Sequence, residues 1–266
     1  MINGKSAVLA DYLARLPSFA WSTRDDALLD GDPQARRRLM DQGIVAGKPL
    51  EVEVLSRYRR VLAAKRRLLV QKRELSADDT VESWNRLMAA VGCELIRLRA
   101  AYVRQLQTAF EETRAEHRID LPAVEFLYQP SPASGGESAE HFLAALERVK
   151  SREARRGRSL LGPHRDRLEF RWGMSDIGSS ASAGERKLFG LVLTAARRRI
   201  LQAAGREPII LLDDLDATLD SGHLSAAWRL FEAVPQVVAS SADPETGRGF
   251  SGVTGWRLHD GRIEPL

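Results

Sequence analysis

The stretch Pro208-Ile-Ile-Leu-Leu-Asp-Asp-Leu-Asp-Ala-Thr-Leu-Asp220 decides the fold. Ile209 to Leu212 are four β-formers in a row with no polar residue alternating among them, which reads as a parallel strand buried on both faces. The run stops abruptly at Asp213-Asp214. Two adjacent carboxylates at the C-terminal end of a central strand repel each other unless a cation sits beside them. That edge is where open α/β sheets bind ligands. A strand that merely stops at a polar turn would carry the same residues, so its meaning depends on the rest of the chain.

About thirty residues upstream, Ser182-Ala-Gly-Glu185 opens a long apolar helix. Ser182 is placed to cap it, Glu185 to complete a capping box, and Gly184 to let a ligand approach the backbone. Free amides and the helix dipole make such a start an anion site. On this segment alone, a well-capped amphipathic helix is the favoured reading.

Composition bounds the rest. The 266 residues can bury a substantial core, and 40 Lys and Arg against 36 Asp and Glu leave a net charge of +4. That balance argues against disorder and permits a polyanionic partner without requiring one. The single cysteine, Cys93, excludes an intrachain disulfide and any multi-cysteine metal site, and reads as a small buried residue. No window holds eighteen consecutive apolar residues and no signal-peptide layout is present. A soluble, cytoplasmic protein without membrane contact is expected.

Asn3-Gly4-Lys5-Ser6 has the ending of a P-loop without the preceding strand and glycine, and reads as a turn between short strands. No other segment supplies G-x-x-x-x-G-K-S/T. Pro33 to Asp41 reads as a helix entered from the Gly31-Asp32 turn. Of Arg36, Arg37 and Arg38, at least one is free to turn inward to a phosphate or carboxylate, the default being a solvated face.

The middle of the chain is helical. From Glu51 to Leu75 apolar residues fall in two heptad columns, and from Trp84 to Ala109 they form a cleaner seam, with Trp84, Val91 and Leu98 beside Met88, Leu95, Tyr102 and Ala109. Two long antiparallel helices are predicted, joined by a turn and N-cap between Ser76 and Thr80. Arg57, Arg59, Arg60, Lys65, Arg66, Arg67, Lys72 and Arg73 read as the outer face of the first helix. They suit a phosphate backbone as well as they suit a solubilising surface.

Residues 119–137 read as an extended segment and loop, followed by a helix from Ser138 to about Arg156 with Phe142, Leu146 and Val149 inward. Arg148 to Arg171 hold nine Lys/Arg against three Asp/Glu, the densest positive region. Within it, Gly162-Pro-His-Arg-Asp166 sets His164, Arg165 and Asp166 at the entry to a half-buried strand of Leu168, Phe170 and Trp172. Ligand contact and a local Arg165–Asp166 salt bridge are both open. A helix from Gly222 to Phe231, a strand at Val237-Val238 and a Trp256–Ile263 hairpin turning at Asp260-Gly261 complete an α/β pattern.

In combination these pieces resemble one family. An S-x-G-E/Q helix start (Ser182 to Glu185), four apolar residues with two acids (Ile209 to Asp214) and a closing acid (Asp220) follow the order of an ABC-type ATPase half. With Gly162 to Asp166, Asp32 to Asp41 and Asn3-Gly4-Lys5 ahead of them, the chain is similar to the RecF family of DNA replication and repair proteins over nearly its whole length. The resemblance implies an α/β fold, an incomplete ABC-ATPase-like head with a parallel-sheet core and an inserted antiparallel α-helical arm. Residues 1–45 would be a remnant of the N-terminal ATPase lobe, 46–157 the arm, and 158–266 the C-terminal lobe with signature, Walker B and D-loop.

The resemblance also implies ATP and Mg2+ as cofactors. Ser182, Gly184 and Glu185 would contact the γ-phosphate of ATP bound to a second subunit. Asp213 would hold Mg2+, Asp214 would be the catalytic group orienting or deprotonating the attacking water, and Asp220 would communicate across the dimer. DNA is the implied partner, in recombinational repair and recombinase loading at gaps, together with an ATP-dependent homodimer and other recombination mediator proteins. Arg60, Arg66, Arg67, Arg155, Arg156 and Arg158 are the candidates for DNA contact. Two departures stand out. The family's P-loop has no counterpart, which leaves ATP hydrolysis by these residues alone open, and Ser240-Ser241 ends a strand where many ABC ATPases place a switch histidine. A structural partner donating only the signature face, or a basic DNA-binding module with a vestigial head, would share most of these features.

Overall fold

The computed structural model describes residues 9–22, 25–71, 79–247 and 250–266. The turns predicted at Asn3 to Ser6 and around Ser76 lie outside them. In chain order the elements are α1 (Leu9–Arg15), β1 (Ser18–Trp21), α2 (Asp26–Leu29), α3 (Pro33–Gly47), α4 (Val52–Gln71) and α5 (Asp79–Glu116). Next come β2 (Glu125–Gln129), α6 (Ala139–Arg156), β3 (Arg167–Trp172), β4 (Ser175–Asp176), α7 (Ile177–Ser180) and α8 (Ala183–Ala203). The chain ends in β5 (Ile209–Leu212), α9 (Ser221–Arg229), β6 (Val237–Ala239), β7 (Trp256–His259) and β8 (Arg262–Pro265).

Three small sheets result. β1, β5 and β6 form a parallel sheet in that order, with Phe19 opposite Ile210 and Ile210 opposite Val237. β2, β3 and β4 form an antiparallel sheet, and β7 pairs with β8. The predicted hairpin turns where expected: Asp260 and Gly261 both have positive φ, 47° and 74°, as a two-residue primed turn requires.

The parallel sheet corrects one expectation. Phe19, Trp21, Ile210 and Leu212 are buried, whereas Leu211 and Val238 are 39% and 56% exposed. β5 is thus covered on one face only among the described residues; an unbroken apolar run cannot reveal which of its faces is covered. The covering element is α8, which comes so close to β1 that a Cβ on Gly190 would stand 2.0 Å from the Trp21 ring. Arg197, further along α8, stacks its guanidinium 4.1 Å from the Phe19 centroid.

Two apolar clusters make the core. The first joins the inner sheet face to α8, the C-terminal half of α5 and the β2–β3 sheet. Its centre is a knot of Phe110, Phe126, Phe170 and Phe189, with centroids of 4.8 to 5.2 Å between neighbouring rings. The second lies between α4, the N-terminal half of α5 and α6. α5, at 38 residues or about 57 Å, runs through both and ties them together. The predicted seam is its packing face: Met88, Val91, Leu95, Tyr102 and Ala109 are buried, as is Cys93. No helix among the described residues is long and apolar enough to cross a membrane.

Basic residues on these apolar stripes turn inward to acids. Arg36, alone of the three consecutive arginines, is fully buried, bonding Asp176 through two nitrogens (2.7 and 2.8 Å) and the carbonyls of Leu28 and Leu168. Lys65, read from sequence as part of the outer basic face, is fully buried with its ammonium 2.7 Å from Glu153, which is equally buried. The reason is its spacing: Val61, Lys65 and Leu69 stand four apart on the inward stripe of α4.

Candidate functional site

The C-terminal edge of β5 is built as a tight turn. Beyond Leu212, the Asp213 amide donates to the Trp21 carbonyl (2.9 Å) and Asp214 adopts φ 50°. Ser240, at the end of β6, holds this turn with one hydroxyl. Its Oγ donates to Asp213 Oδ1 (2.7 Å) and accepts from the Asp214 amide (2.9 Å), while its carbonyl accepts from Leu215. The second oxygen of Asp213 has no partner among the described residues, and the side chain is exposed.

α8 begins beside this turn. Ser182 caps it, accepting from the Glu185 amide (3.3 Å), and Glu185 returns the bond by accepting from the Ser182 amide (2.7 Å). That amide holds the Glu185 carboxyl below the usual carboxylate range. The predicted capping box is therefore complete, and both side chains are spent on it. Gly184 also lies against backbone: a Cβ at that position would stand 3.1 Å from the carbonyl of Thr218 in the loop 215–220. Thr218 itself has φ 66°, and Asp220 caps α9 by accepting from the His223 amide (2.8 Å).

One residue that sequence reasoning passed over joins these pieces. Lys187 Nζ donates to the carbonyls of Asp213 (3.1 Å) and Asp214 (2.8 Å), so the first turns of α8 grip the end of β5. Burial holds its ammonium below the usual lysine range, opposed by the charges of Asp214, Asp26, Asp213 and Asp216. Lys187→Met is expected to lower stability by about 1 kcal/mol, the cost of leaving the half-buried Asp214 carbonyl and the exposed Asp213 carbonyl without their shared donor, read as a lower urea midpoint.

The structure thus brings Ser182, Gly184, Glu185, Asp213, Asp214 and Asp220 to one edge of the parallel sheet. Among the described residues no three His, Cys, Asp or Glu side chains group to hold a metal ion. Asp213 offers one free carboxylate oxygen, which suits Mg2+ with water and phosphate oxygens completing the sphere.

The six arginines predicted for DNA contact lie elsewhere, on α4, on α6 and just beyond α6. All are exposed, and none has a hydrogen bond or ion pair among the described residues. Two buried contacts lay the segments against each other: Lys65 on α4 meets Glu153 on α6, and the Tyr58 hydroxyl meets His164 Nδ1 (2.7 Å) in the following turn. α4 is thus packed against α6 and the turn after it.

In the Gly162 to Asp166 turn, Asp166 pairs with Arg99 in place of Arg165. Asp166 is fully buried; it accepts from Arg99 (2.8 Å), Tyr128 (2.6 Å) and the Ser131 amide (2.8 Å), and Arg99 also binds Asp41 (2.8 Å). Arg165 is exposed and donates to the Ser159 carbonyl. Burial holds the His164 imidazole down at about 4. The unfolded chain, with histidine near 6.5, takes up that proton first. The stabilisation is therefore complete above about pH 6.5 and is lost as pH falls towards about 4. Urea midpoints are expected to drop between pH 7 and pH 5, with a smaller drop for His164→Gln.

No family model matches the chain. Among curated proteins it is 30% identical over 275 residues to the DNA replication and repair protein RecF of Streptomyces avermitilis, covering 99% of this chain and 74% of that protein. It is 33% identical over 247 residues to the RecF of Frankia alni, covering 87% and 65%. The fold is similar to the solved structure of the recombination mediator protein RecF-ATPrS in the RecFOR pathway, with TM-score 0.82, 21% identity, and coverage of 97% of this chain and 70% of that one. The RecF-ATP structure gives 0.81 at 20% identity, covering 96% and 68%. The resemblance read from Ser182 to Glu185 and Ile209 to Asp220 holds over the whole length: the chain belongs to the RecF family of DNA replication and repair proteins, with their mixed α/β fold, and spans about three quarters of its Streptomyces relative.

Proposed function

We propose that this chain is the signature and Walker B half of an ATP-gated head that binds gapped or junction DNA in the cytoplasm, in concert with other recombination mediators. The observation that carries the proposal is the joining of three separate segments at one sheet edge, through Lys187 on the Asp213 and Asp214 carbonyls and Gly184 against Thr218. Phosphoryl transfer asks mainly for positioning and charge neutralisation, and the residues divide that labour. The capping box of Ser182 and Glu185 fixes the start of α8, so that the positive end of the helix faces a phosphate oxygen near Gly184. That phosphate belongs to ATP seated on a second copy, which makes an ATP-dependent homodimer part of the proposal.

Asp213, steadied by Ser240, would hold Mg2+, which when bound supplies neutralising charge. Asp214 orients or deprotonates the attacking water, and Asp220 on the loop beneath Gly184 reports across the dimer. Ser240 takes the position of the switch histidine and acts by fixing the turn rather than by titrating. The helical arm, residues 46–157, together with the turn after it, carries Arg60, Arg66, Arg67, Arg155, Arg156 and Arg158 as a phosphate-tracking surface.

A second reading, a structural partner that donates only the signature face, would share the same capping box and sheet edge. ATPase assays after mixing with a lobe that carries this loop separate the two. Loss of activity with both Ser182→Arg and Asp214→Asn supports a complete catalytic half. Loss with Ser182→Arg but retention with Asp214→Asn supports the donor role.

A further inference from the structure

The turn after β5 pivots on one left-handed residue. Asp214 has φ 50°, a conformation that aspartate tolerates without preferring. Its carboxylate has no hydrogen bond or ion pair among the described residues, so the backbone alone aims it. Whatever fixes that backbone fixes the direction of the carboxylate.

A residue has only two soft backbone dihedrals, and both are set once the peptide groups on either side of its Cα are held. At Asp214 each of these peptides is gripped on two edges. Ser240 takes the amide edges, its Oγ accepting from the Asp214 amide (2.9 Å) and its carbonyl from the Leu215 amide (2.9 Å). Lys187 takes the carbonyl edges, one ammonium donating to Asp213 (3.1 Å) and Asp214 (2.8 Å). The Ala217 amide adds a bond to the Asp214 carbonyl alone (3.1 Å). Asp213 is exposed, where water satisfies a carbonyl equally well, so what Lys187 supplies there is direction.

Lys187 acts from a fixed base. The capping box of Ser182 and Glu185 precedes it, and Arg186 beside it donates to Asp30 and to the Gly178 carbonyl (3.3 Å). Gly178 in turn lies so close to Leu29 that a Cβ would stand 1.9 Å from its carbonyl. Two of the three ammonium protons are spent on the turn.

We infer, resting on the half-site reading above, that Lys187 is a positioning residue for Asp214, holding the turn that aims the carboxylate and acting through it rather than on the nucleotide. The test is an ATPase assay of the full chain mixed with a lobe that carries G-x-x-x-x-G-K-S/T, run well below the unfolding midpoint of every variant. Lys187→Met is expected to lower kcat about tenfold or more and to leave KM within about twofold. Lys187→Arg, which keeps its donors, is expected to recover most of the rate. A residue that only stabilised the fold would move neither constant at that temperature. In an Asp214→Asn background, Lys187→Met is expected to cost nothing further. Hydrogen exchange on the chain alone gives a second readout: the Asp214 and Leu215 amides should exchange about tenfold faster in Lys187→Met, with those of Leu191 to Ala196 unchanged. Should Lys187→Met fail to fold, Lys187→Gln carries the same comparisons. An unchanged kcat, or a loss of equal size in the Asp214→Asn background, would overturn the inference and leave the half-site reading in place. So would unchanged exchange at Asp214 and Leu215. No turnover with the native chain would overturn both.

Discussion

Replacing Arg60, Arg66, Arg156 and Arg158 together by alanine is expected to weaken binding to a gapped duplex by roughly a hundredfold or more at about 50 mM salt. The slope of log affinity against log salt should flatten by about three to four, close to one for each phosphate that is no longer neutralised. All four side chains are exposed and unpaired among the described residues, so the variant should keep its thermal midpoint. Arg57→Ala is the internal control. Its guanidinium is 3.8 Å from Glu94, so part of its charge is already neutralised within the fold and its removal should matter less. Fluorescence anisotropy over a salt series reads both quantities. A quadruple variant with unchanged slope would place the DNA elsewhere.

The largest stability effect is expected at Lys65 and Glu153. Both are at most 1% exposed, and Glu153 also accepts from Ser159 Oγ (2.8 Å) and the Leu160 amide (2.7 Å). Removing one member of such a pair strands the other charge in an apolar cluster, at a cost of about 3–5 kcal/mol. Lys65→Met and Glu153→Gln should each show it as a lower denaturant midpoint. The double variant should recover most of the loss, since Met fills the stem's space and Gln keeps its oxygen for Ser159 and Leu160. Burial holds the Lys65 ammonium below the usual lysine range, against the pull of Glu153. The unfolded chain therefore keeps this proton to higher pH, and stability gains from this group as pH rises towards the unfolded lysine value. Glu153→Gln should start that gain at lower pH. Additive single effects in the double variant would mean that the two side chains act separately.

These two predictions separate what sequence can and cannot show. The elements at the sheet edge were legible because their residues are local: Ser182 with Glu185 is a box within one helical turn, and Asp213-Asp214 ends a run of four β-formers. Helices α4, α5 and α6 were legible from their apolar periods. What escaped were pairings across the fold. Lys65 and Arg99 occupy apolar stripes, which announces that each needs an acid, but nothing local names Glu153 or Asp166 as that acid. Arg165 looked like the partner of Asp166 only because it is next in line; Arg165 lies exposed, whereas Asp166 is buried against Arg99. Likewise, four apolar residues in β5 cannot say that Leu211 stays uncovered while Ile210 and Leu212 pack under α8. Lys187 was missed for the same reason, since its acceptors are backbone carbonyls that no side-chain pattern marks.

The family assignment and the sheet-edge geometry leave one question on which the proposed half-site stands or falls. The 266 residues bring Ser182 to Glu185 and Asp213-Asp214 together at one edge and contain no G-x-x-x-x-G-K-S/T. Calorimetric titration of the chain with Mg-ATP tests this directly. A half-site binds weakly, with a Kd above about 1 mM, near −4 kcal/mol. A Kd tighter than about 10 µM for these residues alone would contradict it, because the phosphates would then be held by a site other than the edge formed by Ser182, Asp213 and Asp214.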